Sequence, residues 1–161
     1  VQTWTIPIFA ITVVNYFRLN LTKKMVADAC VNVAKEKLED CYGPLKIRKG
    51  FDVGLEMSGS ASGLNQLLKA MRNGGKVSLL GLQGPDTKID WDDIILKGLC
   101  VQGIYGRKIF ATWNKMIAMV QGGLDLKPVI THHFHYTEFE KGFEAMISGN
   151  SGNVILDWTK K

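Results

Sequence analysis

Strand-like and helix-like segments alternate along the first 122 residues, and this alternation constrains the fold more than any other feature. Apolar, β-branched runs predict strands over residues 8–14, 29–33, 51–58, 76–82 and 99–106. Helical spacing predicts helices over about 15–27, 35–43 and 61–73, a short helix within 85–98, and one ending at 122–123. Asn15 is the predicted cap of the first of these helices, and Gly74 and Gly75 are the predicted stop of the helix over 61–73. Repeated β–α–β units form a parallel sheet with helices on both faces and ligand sites at the carboxyl ends of strands. Residues 1–122 are therefore predicted to form a doubly wound α/β domain.

The pattern changes after Pro128. Residues 129–134 read as an extended segment, an amphipathic helix is predicted from near Thr137, and 153–158 read as a terminal strand. This different order of elements predicts a separate carboxy-terminal segment over residues 123–161.

Parallel α/β domains often bind dinucleotides, and two parts of such a site can be sought in the sequence. The first is the phosphate-binding fingerprint G-x-G-x-x-G, which does not occur anywhere in the chain. The stretches GLQGPD (81–86) and GIYGRK (103–108) have glycines three apart, but they follow later strands and are interpreted as turns. The second is an acidic residue that would hold the ribose and is expected near the end of the first strand. In this chain Val13 and Val14 stand there instead.

Composition and charge limit the classes of partner that the chain is expected to bind. The formal charge is +5, from 20 basic and 15 acidic residues. The basic residues are scattered and do not alternate with aromatic residues, so we expect no nucleic-acid partner. The apolar stretch 1–14 is too short to span a membrane and has no basic segment before it, so we expect no membrane partner. The three cysteines, at 30, 41 and 100, form no C-x-x-C motif. We expect them to be reduced thiols, as is typical of a cytoplasmic protein.

The sequence contains two clusters of potential metal ligands. His132, His133 and His135 lie in one extended segment, but no third or fourth ligand is fixed by spacing, so an ordinary exposed histidine run is favoured. The acidic residues 90, 92 and 93 stand where a helix begins and are interpreted as caps and partners of the helix dipole. No catalytic residue and no metal ligand is assigned.

Several segments, in order and with fitting spacing, resemble one known family. They include GFDVGLEMSGS, IDWDDIILKGLCVQGIYGR and FEKGFEAMISGNSGNVILDW. Over about residues 11–158 the chain is similar to the carboxy-terminal half of the zinc-type L-threonine 3-dehydrogenases, in the medium-chain dehydrogenase/reductase superfamily. The resemblance implies an incomplete Rossmann-like sheet, followed by a segment that in the family completes the catalytic domain.

The resemblance also implies an activity. The family oxidises L-threonine to 2-amino-3-oxobutanoate, passes hydride to NAD and uses zinc. The zinc ligands and the glycine fingerprint of the family precede the part that this chain resembles. We therefore expect NAD binding to be weak or lost, zinc to have no ligands here, and the chain alone to be inactive.

Six residues match family positions near the cofactor. Arg18 matches an arginine near the adenosine end, whereas Val13 stands where the family has the ribose aspartate. Leu80, Gly81 and Leu82 match the segment whose backbone lines the nicotinamide pocket. Ile104 and Tyr105 match the segment that closes its far side. The resemblance therefore makes these six residues the expected cofactor-binding set.

The apolar strand over 99–106 carries an expectation about assembly. An apolar edge strand is prone to pair with another chain unless it is covered, and in the family the corresponding strand pairs across a two-fold axis. We expect a homo-oligomer through this edge. Two other functions stay open: a non-catalytic dimerising scaffold, and part of a zinc-dependent polyol or alcohol dehydrogenase.

Overall fold

The computed structural model describes residues 7–25 and 27–159. The strands are β1 (Ala10–Val13), β2 (Ala29–Asn32), β3 (Phe51–Glu56), β4 (Met71–Leu79), β5 (Cys100–Gly103), β6 (Ile130–His135) and β7 (Asn153–Asp157). The helices are α1 (Tyr16–Lys23), α2 (Ala61–Ala70), α3 (Trp91–Lys97), α4 (Ala111–Gln121) and α5 (Phe139–Ile147). The predicted α/β class is confirmed.

The strand pairs are parallel, as the alternating pattern predicted. The described strands form three hydrogen-bonded sheets: β1–β2, β3–β4–β5 and β6–β7. Each sheet is parallel because its neighbouring strands are joined by crossover connections that contain helices or turns. Strand prediction located the bounds of these strands to within about three residues, except at the start of β4, which was predicted at residue 76 and lies at Met71.

The helix predicted over 35–43 is wrong. The chain forms turns there, with a 3-10 segment only over Leu38–Cys41. The backbone N–H groups of Lys35 and Glu36 both donate to the carbonyl of Asn32. The carboxylate of Asp40 accepts from the N–H of Lys37 at 3.3 Å. Side-chain bonds of this kind compete with the helical ladder and favour turns.

Two predicted helix ends also differ. Helix α1 ends at Lys23 rather than near residue 27, although its predicted cap is confirmed because Asn15 accepts from the N–H of Arg18 at 3.2 Å. Helix α2 ends at Ala70, and β4 begins at once, so Gly74 and Gly75 lie inside a strand instead of ending a helix. A register shift between Phe51 and Val53 accommodates these extra strand residues, as a β-bulge does.

The chain divides into two compact units, which are described separately. One comprises residues 42–108 and contains the sheet β3–β4–β5. Its core consists of Leu64 and Leu68 from α2 with Met71 and Val77 from β4. Helix α2 begins at its cap Ser60, whose hydroxyl accepts from the N–H of Gly63. Helix α2 thus packs against β4 of this sheet.

The second unit comprises residues 1–41 and 109–161, as far as they are described. The Asn15 side chain donates to the carbonyl of Gly149 at 3.2 Å, which ties the start of α1 to the loop before β7. Helix α5 packs on β6 and β7 through Gly142, whose neighbours are Phe134, Val154 and Leu156. Among the described residues, no helix is long and apolar enough to cross a membrane.

Candidate functional site

The carboxyl ends of β3, β4 and β5 lie side by side, because the three strands are parallel neighbours. The N–H of Leu80, just after β4, donates to the carbonyl of Glu56 at 2.8 Å. The N–H of Ile104, just after β5, donates to the carbonyl of Leu79 at 2.8 Å. The structure thus brings two predicted segments, 80–82 and 104–105, to one edge of one sheet, which we call the carboxyl edge.

Two glycines let the turns at this edge pack tightly. A Cβ on Gly81 would overlap the backbone nitrogen of Gly59 and lie 2.5 Å from a carboxylate oxygen of Glu56. A Cβ on Gly59 would lie 2.5 Å from the carbonyl oxygen of Leu82, and Gly59 has a φ of +70°, a conformation that favours glycine. The turns after β3 and β4 therefore meet backbone to backbone.

A buried carboxylate lies directly beneath these turns. Glu56 ends β3, and only 4% of its surface is exposed. One of its oxygens accepts from the Ser58 hydroxyl at 2.5 Å and from the Ser58 N–H at 2.9 Å. The N–H of Gly59 donates to both oxygens, at 3.1 and 3.3 Å, and Nε2 of Gln83 donates to the second oxygen at 3.0 Å.

These donors determine the charge of Glu56. Burial raises the pKa of the carboxyl group, because desolvation penalises the ionised form. The hydrogen bonds from Ser58, Gly59 and Gln83 outweigh burial, so the pKa lies below its ordinary value of 4.5. Glu56 is therefore ionised at neutral pH, and its charge is held by donors from both turns.

Sequence reasoning missed Glu56 and Gln83. Glu56 lies within the quoted segment GFDVGLEMSGS, but it was interpreted as part of an apolar strand. A usable signal was present, since an acidic residue followed by Ser-Gly at the end of a parallel strand is well placed to bind the backbone of the next turn. Gln83 carried no such signal, because its partner is 27 residues away.

Apolar side chains are exposed at the carboxyl edge. Leu82 is 92% exposed and Tyr105 is fully exposed, while Leu80 and Ile104 are 43% and 40% exposed. Exposed apolar groups at the carboxyl ends of parallel strands are typical of a surface that a ligand or another polypeptide covers.

Arg18 lies in the other unit, on α1. Its side chain is exposed, and its backbone carbonyl accepts from the Thr22 hydroxyl at 2.8 Å. Val13 ends β1 and pairs with Asn32, a buried residue whose amide donates to the carbonyl of Val14. The strand end that would carry a ribose carboxylate is thus apolar.

The histidines of β6 make local hydrogen bonds. Nδ1 of His132 lies 2.9 Å from the Thr131 hydroxyl, and Nδ1 of His135 lies 2.7 Å from the Thr137 hydroxyl. Within residues 7–25 and 27–159, no three His, Cys, Asp or Glu side chains are grouped so that they could hold a metal ion. The described residues therefore do not fit a zinc site, and no zinc chemistry is assigned to them.

Sequence comparison relates the chain to dehydrogenases. The profile of the family described as zinc-binding dehydrogenase matches residues 6–122. An L-threonine 3-dehydrogenase from Burkholderia vietnamiensis is 56% identical over 149 residues, which are 92% of this chain and 44% of the relative. One from Chromobacterium violaceum is 56% identical over 148 residues, covering 92% of this chain and 43% of the relative. The chain thus spans less than half the length of these relatives.

Solved structures show the same fold at lower identity. An alcohol dehydrogenase from Thermotoga maritima superposes with a TM-score of 0.81 at 23% identity, over 93% of this chain and 43% of its own. An alcohol dehydrogenase from Escherichia coli, solved with NADH, superposes with a TM-score of 0.78 at 16% identity, over 92% of this chain and 44% of its own.

Proposed function

This chain belongs to the zinc-binding dehydrogenase family, and from that membership we propose that it carries cofactor-binding residues of an enzyme that oxidises L-threonine to 2-amino-3-oxobutanoate with NAD. Two L-threonine 3-dehydrogenases that share 56% identity with it support the choice of substrate. The single observation that carries the proposal is the carboxyl edge, where 80–82 and 104–105 lie together on neighbouring parallel strands.

In this proposal the nicotinamide ring of NAD lies on the carboxyl edge. Leu80, Leu82, Ile104 and Tyr105 supply apolar surface for the ring and exclude water from it. Gly81 lets the backbone of its turn pack closely against the backbone of Gly59. The bound nicotinamide supplies the carbon that accepts hydride from the alcohol of the substrate. The chain's own residues bind and orient the ring, and none of them is proposed to be catalytic.

Three further assignments belong to the proposal. Arg18 contributes its exposed guanidinium to the adenosine end of the cofactor, where a charge-assisted hydrogen bond would form. We place the protein in the cytoplasm, because its three cysteines are free thiols, which suit a reducing compartment. The two parts 1–122 and 123–161 are proposed to be the cofactor domain and a segment that completes a catalytic domain.

The titration of the purified chain with NADH, followed by nicotinamide fluorescence, tests the cofactor proposal. We expect saturable binding near millimolar, about −4 kcal/mol, because the ribose carboxylate and the phosphate fingerprint are missing. The same titration with NADPH serves as the control for specificity. A folded chain that shows no saturable signal up to several millimolar NADH would contradict the proposal.

The 161 residues alone are proposed to be inactive towards threonine. The described residues offer no grouped metal ligands, and the relatives that carry the activity's name are more than twice as long. Zinc-supplemented chain, NAD and L-threonine should therefore give no NADH absorbance above a reaction without protein. Zinc-dependent production of NADH by the pure chain would refute this part.

A specific observation favours self-association as a second role. Strand β5 pairs with β4 on one side, is the outer strand of its sheet, and has four exposed residues. We propose that residues 99–106 pair with the same strand of a second copy, in a contact that a two-fold axis would make symmetric. A chain that self-associates but binds no NADH would be a scaffold rather than a cofactor domain.

A further inference from the structure

Glu56 is the one buried acidic side chain at the carboxyl edge among the described residues, and the proposed cofactor contacts do not use it. Its backbone and its side chain both bind the turns above it. The carbonyl accepts from the N–H groups of Leu80 and Gly81, at 2.8 and 3.2 Å. The carboxylate accepts from Ser58, Gly59 and Gln83. One residue therefore contacts both the turn after β3 and the turn after β4.

We propose that Glu56 is a positioning residue, whose carboxylate ties Ser58 and Gly59 to Gln83 and thereby holds residues 80–82 in the shape that receives the nicotinamide. The proposal rests on the cofactor function argued above. It adds a residue that touches no cofactor and acts through the two turns.

The geometry favours this role over that of an ordinary buried acid. Residues 80–82 lie between two contacts with Glu56: the backbone bonds at Leu80 and Gly81, and the side-chain bond at Gln83. The close approach of Gly81 to Gly59 places the donors of the first turn against the second. A loss of the carboxylate would release both turns at once.

The hydrogen bond between Gln83 and Glu56 is accompanied by an energetically unfavourable feature. Its Nε2 donates to Glu56, whereas its Oε1 is buried and has no hydrogen-bond partner among the described residues. An unpaired buried acceptor destabilises a protein, so such a group in a native protein calls for a compensating structural or functional gain. The bond to Glu56 is thus kept although it leaves an acceptor unpaired.

The test compares wild type, Glu56→Gln and Asp52→Asn in the full chain. Glu56→Gln keeps the shape but replaces one acceptor oxygen by an NH2 group that faces N–H donors. Asp52→Asn is the matched control, because it is the same change on the same strand, at an exposed carboxylate paired with Arg72. Two quantities are measured: NADH affinity by fluorescence, and amide hydrogen exchange at 58–59 and 80–83 relative to the core residues Leu64 and Val77.

Glu56→Gln should weaken NADH binding about tenfold and speed exchange at 58–59 and 80–83, with little change at the core. Asp52→Asn should change neither quantity. Unchanged affinity and exchange in Glu56→Gln, or equally faster exchange throughout the unit, would overturn the positioning role. If wild type itself binds no NADH, the cofactor proposal fails, and the exchange pattern still decides whether Glu56 orders the turns.

A second variant covers the case in which Glu56→Gln does not fold. Gln83→Leu removes one bond to the carboxylate and also the unpaired Oε1, so no polar group is left unsatisfied at residue 83. We expect weaker NADH binding and faster exchange at 80–83 with normal folding. A Gln83→Leu chain that binds NADH like wild type would also overturn the proposal.

Discussion

At the scale of single residues, the contact of Gly81 with Gly59 is the most restrictive feature of the candidate site. A Cβ on Gly81 would meet backbone and a fixed carboxylate, neither of which can move aside as a flexible side-chain end could. Steric overlap of this kind costs about 1–3 kcal/mol or distorts the backbone. The tight turn therefore depends on glycine at this position.

Gly81→Ala is expected to lower the free energy of unfolding by about 1–3 kcal/mol and to weaken NADH binding. Gly84→Ala is the matched control, because only the Thr87 hydroxyl lies near its Cβ, at 3.9 Å. That variant should stay within about 0.5 kcal/mol of wild type. Urea denaturation of the three proteins measures the difference, and equal stability of the two variants would contradict the packing described.

The lowered pKa of Glu56 predicts a pH dependence. The unfolded chain binds a proton at this group more readily than the folded chain does, so stability rises with pH through the titration range. The contribution is fully present above the ordinary pKa of 4.5 and is lost as the pH falls through the lower folded value. Glu56→Gln removes this titration.

Urea unfolding of wild type and Glu56→Gln between pH 7 and pH 3 measures this effect. The stability advantage of wild type should be constant near neutral pH and should shrink as the pH falls below 4.5. A difference that stays the same over the whole range would show that the folded and unfolded pKa values are equal.

The sequence anticipated residues whose role is local and missed those whose role depends on distant partners. Asn15 and Asp90 were predicted as caps, and both accept from an N–H within three residues. Gln83 was missed because its partner Glu56 lies 27 residues away, whereas Glu56 itself was interpreted as part of an apolar strand. The resemblance to the family identified the segments 80–82 and 104–105 as cofactor-binding. Their closeness follows from the parallel sheet, in which the strands that precede them are neighbours.

At the scale of elements, α2 depends on a lysine from α3. Lys97 donates from Nζ to the carbonyls of Leu68 and Lys69, at 2.9 and 2.8 Å. It also forms an ion pair with Asp93 at 2.9 Å, and both side chains are mostly buried. These bonds satisfy carbonyls at the end of α2 that would otherwise lack partners in the helix.

Lys97→Met is expected to lower the free energy of unfolding by about 1.5–3 kcal/mol, because it removes charged hydrogen bonds and leaves Asp93 unpaired. Lys69→Met is the control, since Lys69 is an exposed lysine of the same unit, and it should change stability by less than about 0.5 kcal/mol. Thermal unfolding monitored by circular dichroism compares them. Equal melting temperatures would mean that Lys97 does not cap α2.

The outer strand β5 gives a prediction about assembly. Gln102→Lys places a charge on an exposed edge residue, and in a symmetric strand pair two such charges would approach each other. We expect the variant to shift the chain towards monomer in sedimentation velocity. Gln121→Lys, an identical change at the end of α4, should leave the distribution as in wild type. Equal association of both variants would exclude this edge.

Element prediction failed where side chains compete with the backbone ladder or where a strand follows a helix without a break. The turns around Asp40 replaced a predicted helix for the first reason. The direct passage from Ala70 to Met71 moved the start of β4 for the second. Neither feature changes the spacing of apolar residues along the chain, so hydrophobic periodicity could not detect either of them.

At the scale of the whole molecule, the residues discussed above are divided between the two compact units. The unit of residues 42–108 holds the carboxyl edge, its glycine contact and Glu56. The other unit holds Arg18 and the apolar strand end at Val13. Alternation of strands and helices predicted the α/β class, whereas periodicity does not determine which strands join one sheet.

The central claim is that the nicotinamide lies on the carboxyl edge, and methyl NMR of the chain with labelled leucine and isoleucine tests it directly. On addition of NADH, the methyl signals of Leu80, Leu82 and Ile104 should shift, while those of the core residues Leu64 and Leu68 should not. NADH binding that leaves the three edge residues unshifted and moves other methyl signals would contradict the claim.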